Sequence, residues 1–251
     1  MYCSAPPVTV EHMPPTGMFR ERRRLSGLEF ACCRECNFGT RAADLAAAFM
    51  ARIPPFDIAN DWRLQEAYNL VGGIAHLAPE VIRELFGSGH ANVLIRRPSG
   101  FIQRGKSLHV DGPVLTGLMT VFTAKLGMAL FRQHVGQPLP MDGGVYTQFF
   151  FNAGLDQSQI DAMLSILPTH DTLRQGKSHA SEQFEYRYNS DDRTIVAALA
   201  GFHGCLHVRM FAMSDPERYG FLLDDRGVDL VRPGELVGRA AAVMPPGAAP
   251  V

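Results

Sequence analysis

Four of the five cysteines in this sequence lie close to its start, at spacings that could bind a metal ion. Cys33 and Cys36 have the Cys-x2-Cys spacing that supplies two thiolate ligands to zinc from one turn, and Cys3 could supply a third. A cysteine three residues before Cys3 would complete a tetrahedron, but that position falls ahead of Met1. The fourth ligand is therefore either another donor, such as Cys32, or a residue upstream. In a strand Cys32 would point away from Cys33, which favours a buried thiol.

Two other chemistries are open for the pair Cys33 and Cys36. One is a redox dithiol, although no thioredoxin-like βαβ pattern surrounds it. The other is a pair of buried, unreactive thiols. The odd total of five cysteines argues against a disulfide framework. The sequence therefore favours a zinc site.

The composition is that of a globular protein with nearly balanced charge. Of 251 residues 46% are hydrophobic, which is enough for a packed core, and the formal net charge is -1. Any contact with nucleic acid must therefore come from a local patch. The longest apolar run, residues 113–131, contains three threonines and Lys125, so it predicts a buried helix rather than a membrane span. Because the sequence opens without a signal-peptide pattern, we expect a cytoplasmic protein with no membrane partner.

The early cysteines lie among patterns that predict two short strands and a helix. Residues 8–10 and 28–30 have strand-like patterns, and a loop rich in proline and arginine joins them. Thr40 is placed to cap a helix that runs to Met50. Two prolines directly after this helix would end the unit, so residues 1–53 are expected to form a first domain.

The rest of the sequence predicts a larger domain over residues 54–240, which makes the fold class α+β. Helices are expected to start at Pro79, at Pro113 and after Asp156. Beyond residue 180, alternating patterns and turn residues predict an antiparallel β meander. Residues 241–251 are expected to be a disordered tail. This body could present a substrate, sense a signal or form a homo-oligomer.

The segment "TVEHMPP" lies between the two halves of the predicted zinc site. It places a carboxylate and a histidine at the end of a strand, followed by a Pro-Pro loop, a second strand, Cys-x2-Cys-Asn and a helix. This order resembles the HNH, or His-Me finger, endonucleases. The resemblance is to the branch whose ββα-metal finger is held together by zinc, and it covers residues 3–53.

That resemblance implies a role for each polar residue. His12 would be the general base that activates water. Glu11 and Asn37 would hold Mg²⁺ or Mn²⁺ at the scissile phosphate. A structural zinc ion would fix the turn that carries Asn37. Its ligands would be Cys3, Cys33 and Cys36.

The sequence departs from the family pattern in three places. Only half of the first cysteine pair is present, Glu11 stands where aspartate is commoner, and no histidine follows Asn37 at the usual distance. Asp44 stands near that place and could be a further ligand of the catalytic ion, or an acidic residue that a helix N-terminus favours. The alternative for His12 is a merely structural polar residue. These departures leave open a finger that binds without cutting.

Positive charge is concentrated in the loop of this finger. Residues 1–53 contain seven arginines and five acidic residues. Arginine suits phosphate contacts, although an arginine-rich loop can also be merely solvated. The candidate nucleic-acid contacts are Arg20, Arg22, Arg23, Arg24 and Arg41.

The sequence as a whole therefore predicts a metal-dependent endonuclease that hydrolyses phosphodiester bonds, with DNA favoured over RNA. One alternative is an inactive zinc-finger-type module that binds nucleic acid or protein. Another is an enzyme whose site lies in residues 54–240. The histidines of that region do not favour a metal site, because His203 and His207 stand far apart along one strand and His109 with Asp111 has no partner motif.

Overall fold

The computed structural model describes residues 1–54, 62–87, 92–96, 100–106, 108–151, 157–222 and 229–244. Within these residues the fold contains seven α-helices and antiparallel sheets. The predicted α+β class is confirmed.

The first fifty residues form two strands followed by two helices. β1 (Thr9–His12) pairs antiparallel with β2 (Glu29–Cys32), and α1 (Arg34–Gly39) and α2 (Arg41–Met50) follow. The strand pair and α2 agree with the sequence prediction, whereas α1 was not expected. It forms because the Cys33 Sγ accepts the backbone N–H of Cys36 and so caps the first turn. Thr40 precedes α2 as predicted, but its hydroxyl donates back to the Cys36 carbonyl.

The body consists of helices followed by strands. Its elements, in chain order, are α3 (Trp62–Leu77), α4 (Pro79–Phe86), β3 (Asn92–Arg96), β4 (Ile102–Lys106), α5 (Pro113–Val135), β5 (Gly144–Phe151), α6 (Gln157–Ser165), β6 (Thr169–Asp171), β7 (Arg174–Gln175), β8 (Ser178–His179), β9 (Phe184–Ser190), β10 (Ile195–Phe202), β11 (Leu206–Met213), β12 (Leu230–Val231) and α7 (Leu236–Ala242). Six strands form one antiparallel sheet in the order β12-β5-β11-β10-β9-β6, while β3–β4 and β7–β8 are separate hairpins. The predicted meander is β9-β10-β11. Asp156, the predicted cap of α6, lies outside the described residues.

α5 is the central helix of the protein. It begins at Pro113 and ends before Gly136, which takes the left-handed conformation (φ 83°) common after a helix. It is long and apolar enough to cross a membrane, but 83% of its apolar window is buried inside the protein. α5 packs against α2 on one side and against β5 and β11 on the other. It is therefore the core helix that the sequence predicted.

The expected boundaries at residues 53 and 241 are not seen in the packing. One continuous hydrophobic core joins Tyr2 and Phe49 of the first segment to α5, the sheet and α7. The N-terminal unit therefore shares its core with the body and is not a separately packed domain. Nor does a disordered tail begin at residue 241, because α7 continues to Ala242, and Val243 packs on the core. Residues 245–251 lie outside the described part of the chain.

Candidate metal centre and the buried Lys125 cluster

Three cysteine thiols converge where the N-terminal segment meets α1. The Cys3 Sγ lies 3.5 Å from the Cys33 Sγ and 3.5 Å from the Cys36 Sγ. All three sulfur atoms lie within 4.8 Å of one another. Cys33 and Cys36 are buried, and Cys3 is partly exposed. The fold thus brings together the three cysteines that the sequence singled out.

This arrangement suits a thiophilic ion. Zinc–sulfur bonds of about 2.3 Å at tetrahedral angles place sulfur atoms about 3.8 Å apart, close to the 3.5 Å between Cys3 and Cys33. The Cys36 backbone N–H donates to the Cys33 Sγ at 3.3 Å, which stabilises a thiolate there. Among the described residues, no fourth cysteine, histidine or carboxylate joins the group. A bound ion would therefore have three protein ligands and one further position.

Cys32 does not belong to this group of thiols. It is fully buried, and burial together with nearby Glu11 raises the pKa of Cys32 to about 12. Its sulfur is not among the three that lie within 4.8 Å of one another. The buried-thiol interpretation of Cys32 agrees with this environment.

Asn37 connects α1 to the strand pair. Its Nδ2 donates to the Thr9 Oγ1 at 3.1 Å and to the Val10 carbonyl at 3.2 Å. Thr9 donates in turn to the Cys32 carbonyl of the neighbouring strand at 2.9 Å. The observed contacts of the Asn37 amide are thus structural: they hold both strands against the helix that carries Cys36.

The two acidic residues of the expected catalytic site converge, but on a lysine. The Lys125 Nζ lies 2.8 and 2.7 Å from the two carboxylate oxygens of Asp44 and 3.2 Å from the Glu11 Oε1. Lys125 is fully buried, and the side chains of Glu11 and Asp44 are only 3% and 16% exposed. In this structure the partner of both carboxylates is therefore an ammonium group. A divalent ion held by Glu11, with Asn37 or Asp44, stays a prediction.

Burial links the protonation of the three groups. It raises the pKa of Glu11 to about 7, although Lys125 acts to lower it. Burial also disfavours the charged form of Lys125, but Asp44 and Glu11 outweigh this effect and raise the pKa of Lys125. The ammonium therefore stays protonated, and Glu11 is the group that exchanges a proton near neutral pH.

His12 lies at the end of β1, on the face opposite Glu11. Successive strand residues point to opposite faces, and the His12 side chain is accordingly 42% exposed while Glu11 is buried. The His12 Nδ1 lies 3.7 Å from the Oε1 of Glu29, the residue opposite it on β2. In the described part of the chain, this nitrogen makes no hydrogen bond. The Nδ1 atom itself is buried, so the exposed part of the imidazole is its other edge, and the ring does not contribute to the Lys125 cluster.

Arg24 is a structural residue rather than a surface contact. Its side chain is 4% exposed. The guanidinium donates to the carbonyls of Pro14 at 2.8 Å, Met13 at 3.0 Å and Leu25 at 2.8 Å, and also to that of Gly27. These bonds fix the Pro-Pro loop and leave little of the Arg24 side chain exposed to a ligand.

The other four candidate arginines lie on the surface. Arg23 pairs with Glu21 at 2.9 Å, and the Arg41 guanidinium lies 4.0 Å from the ring centroid of Phe38. Exposed arginines that stack on aromatic rings keep their donors free for a ligand. The other two exposed candidates are Arg20 and Arg22.

Lys125 is the site residue that the sequence interpretation missed. The signal was present, because Lys125 is the only charged residue in the apolar run 113–131. A lysine inside a core helix needs a carboxylate partner, and such a partner has to come from elsewhere in the fold.

His203 has a structural contact of its own. Its buried ring bonds through Nε2 to the Met18 carbonyl at 2.6 Å. This contact fixes the turn after β10 against the N-terminal loop, so His203 is held in place without a metal ion.

Comparison of the chain with known protein families, with curated proteins and with solved structures found no match. The functional interpretation therefore rests on the site geometry and on the motif order.

Proposed function

We propose that residues 1–53 form a metal-stabilised ββα unit that binds nucleic acid without hydrolysing it. The observation that carries this proposal is the buried ammonium of Lys125 between Glu11 and Asp44. Phosphodiester hydrolysis in His-Me fingers depends on a divalent ion at that position, which stabilises the charge on the phosphate. Lys125 supplies a positive charge that holds the fold together but that a substrate cannot reach.

The ion in the three-cysteine group is proposed to be zinc. Thiolates select soft or borderline ions, and zinc accepts three protein ligands with a fourth from solvent. Zinc bound by Cys3, Cys33 and Cys36 would connect the N-terminal segment to the start of α1. It would thereby hold the arginine-rich loop and the strand pair in one arrangement. The cytoplasm, where thiols stay reduced, is the proposed location.

Nucleic acid, with DNA favoured over RNA, is the proposed partner because of the exposed arginines. Arg20, Arg22 and Arg23 lie on one loop, and Arg41 lies at the start of α2. Contacts between guanidinium groups and phosphates carry no sequence information, so binding through such contacts would show little sequence preference.

Metal-dependent hydrolysis with His12 as general base is the second candidate. The exposed imidazole at the end of β1 favours it, because a general base must reach water and substrate. The Lys125 cluster counts against it. Mg²⁺ could bind Glu11 and Asp44 only by displacing a buried ammonium, which would then lack a partner.

One pair of assays separates these functions. Binding of a labelled DNA duplex is measured by fluorescence anisotropy, and nicking of supercoiled plasmid is measured in Mg²⁺ and in Mn²⁺. The proposal expects the wild-type protein and His12→Ala to bind alike and neither to nick. Nicking by the wild-type protein that His12→Ala abolishes would establish the second candidate.

The binding surface is tested separately. The double variant Arg22→Gln/Arg23→Gln should lose roughly tenfold in affinity at low salt, because two phosphate contacts are removed. A matched control, Arg193→Gln/Arg218→Gln, removes two exposed arginines near the turn after β9 and should bind like the wild type. Equal affinities for all three proteins would show that the loop is not the binding surface.

A further inference from the structure

A cavity of about 340 Å³ lies beside the β7–β8 hairpin, far along the chain from the finger. We refer to it as the hairpin cup. The side chains that matter for its chemistry are His170, Thr172, Arg174, Lys177, His179 and Ser181. No acidic residue is among those that line it.

Basic side chains from both strands and from the turn line this cup. Arg174 and His179 are directly opposite residues of the β7–β8 ladder, so their side chains stand on the same face. Lys177 lies in the two-residue turn between these strands, and no ion pair or hydrogen bond reaches its ammonium within the described residues. The two positive groups, Arg174 and Lys177, lie on one short hairpin, where an anion between them would offset their mutual repulsion.

Nearby carboxylates only partly offset this charge. The Asp171 Oδ1 lies 3.9 Å from the Arg174 Nε, which is a loose ion pair at the surface. Glu185 lies 2.9 Å from the His170 Nε2 and so acts on that ring. The open side of the cup, formed by Arg174, Lys177 and His179, keeps its positive charge.

Hydroxyl and imidazole groups add hydrogen-bond donors. The Ser181 Oγ lies 2.7 Å from the His179 Nδ1. When the hydroxyl donates to Nδ1, the neutral ring carries its proton on Nε2, where it can donate to an anion. Gly176, with φ +59°, takes the conformation that a two-residue hairpin turn requires at its first position and so places Lys177 at the tip.

The cup adjoins the arginine-rich loop of the finger. Leu173, the residue before β7, lies 3.3 Å from the position that a Cβ on Gly27 would occupy. The side chain of Gln183, just after the cup, accepts the backbone N–H of Arg20 at 2.7 Å. Exposed Arg22 and Arg23 lie in the same loop. The two basic regions are therefore neighbours, although about 150 residues separate them in sequence.

We propose that the hairpin cup is a phosphate-binding site. Guanidinium, ammonium, imidazole and hydroxyl donors that converge from two strands and a turn match the several oxygens of a phosphate group. As part of the proposed function, on which this extension rests, the group is a backbone phosphate of the nucleic acid that also contacts the finger loop. A free phosphate or phosphomonoester has the same chemistry, and the experiment distinguishes the two sources.

The test uses the full chain and the variant Arg174→Gln/Lys177→Gln, which changes only exposed side chains of the hairpin. The control is Arg193→Gln/Arg218→Gln, which removes the same charge near the turn after β9. The first measurement titrates inorganic phosphate and follows the imidazole NMR signals of His179, assigned with His179→Gln. The second measures duplex DNA affinity as a function of salt concentration.

For backbone phosphate, the hairpin variant should bind duplex roughly tenfold more weakly than the control, with a salt slope less steep by about 2. For a free phosphate, His179 shifts on titration in the control but not in the hairpin variant, while duplex affinity is unchanged. That second result keeps the cup as a phosphate site even if the chain binds no DNA. The proposal is overturned if duplex affinity, salt slope and the His179 response are the same in both variants. In that case DNA binding through Arg22 and Arg23 would stand without it.

Discussion

Replacing Lys125 with methionine tests whether its ammonium is the cation that holds Glu11 and Asp44 together. Methionine has a similar length and keeps the packing of α5, so the change removes mainly the charge. The carboxylates of Glu11 and Asp44 would then share a buried site without a cation, in which the Glu11 side chain is 3% exposed. Breaking a buried ion pair on one side costs about 3–5 kcal/mol. Lys125→Met should therefore lose about that much unfolding free energy at pH 7, measured by urea unfolding with the fluorescence of the single tryptophan, Trp62.

Mg²⁺ should restore part of this loss, because the two carboxylates would then be free to bind it. A concentration one hundred times the dissociation constant stabilises a protein by about 2.7 kcal/mol. Mg²⁺ prefers oxygen ligands and does not compete for the thiols, so the wild-type protein should show no such gain. The control Lys125→Met/Asp44→Asn has only one carboxylate left and should be more stable than Lys125→Met, with a weaker response. A loss below about 1 kcal/mol in Lys125→Met would refute the reasoning.

Three further changes have expected outcomes. Because burial raises the pKa of Glu11 from 4.5 to about 7, its ionisation opposes folding. The stability that protonated Glu11 contributes is therefore fully present below pH 4.5 and is lost as pH rises through 7. Between pH 5 and 8 the wild-type protein should lose about 2–3 kcal/mol relative to Glu11→Gln in urea unfolding, and parallel pH profiles would contradict this. Cys36→Ser should purify with far less than the one equivalent of zinc expected of the wild type and of Cys32→Ala, measured by elemental analysis; retained zinc would exclude the three-cysteine site. Arg24→Met should lower the free energy of unfolding by about 3 kcal/mol, because its guanidinium binds backbone carbonyls, and should leave DNA affinity unchanged. A loss of DNA affinity without a loss of stability would show that Arg24 contacts DNA.

Local chemistry made much of the fold predictable. Pro113 and Gly136 mark the two ends of α5, because proline suits the first turn of a helix and glycine suits the position after the last helical residue. The meander followed from alternation and from turn residues such as Asp191, whose carboxylate accepts the backbone N–H groups of Arg193 and Thr194. α1 was missed because its cap is the thiol of Cys33, which a search for hydroxyl and carboxylate caps does not find.

The candidate site was less predictable, because its decisive contacts are long-range. Cys3 and Cys33 could be paired by the spacing of known metal ligands, and the fold brings them together. Lys125 could not be assigned to Asp44, since 81 residues separate them and no local pattern links the two. In the sequence Arg24 is one of several arginines in a basic loop. Its inward orientation depends on the path of that loop and could not be predicted from the sequence. Sequence patterns thus identified several of the elements and the thiols, while the charge partners depended on how the elements pack.

The most direct test of the central claim is to locate Mn²⁺ by anomalous diffraction in crystals of the wild-type protein soaked in that ion. We expect no manganese peak between Glu11 and Asp44, with the Lys125 Nζ within hydrogen-bond distance of both carboxylates. A manganese ion bound to both carboxylates, with the Lys125 side chain displaced, would contradict the account and favour the endonuclease.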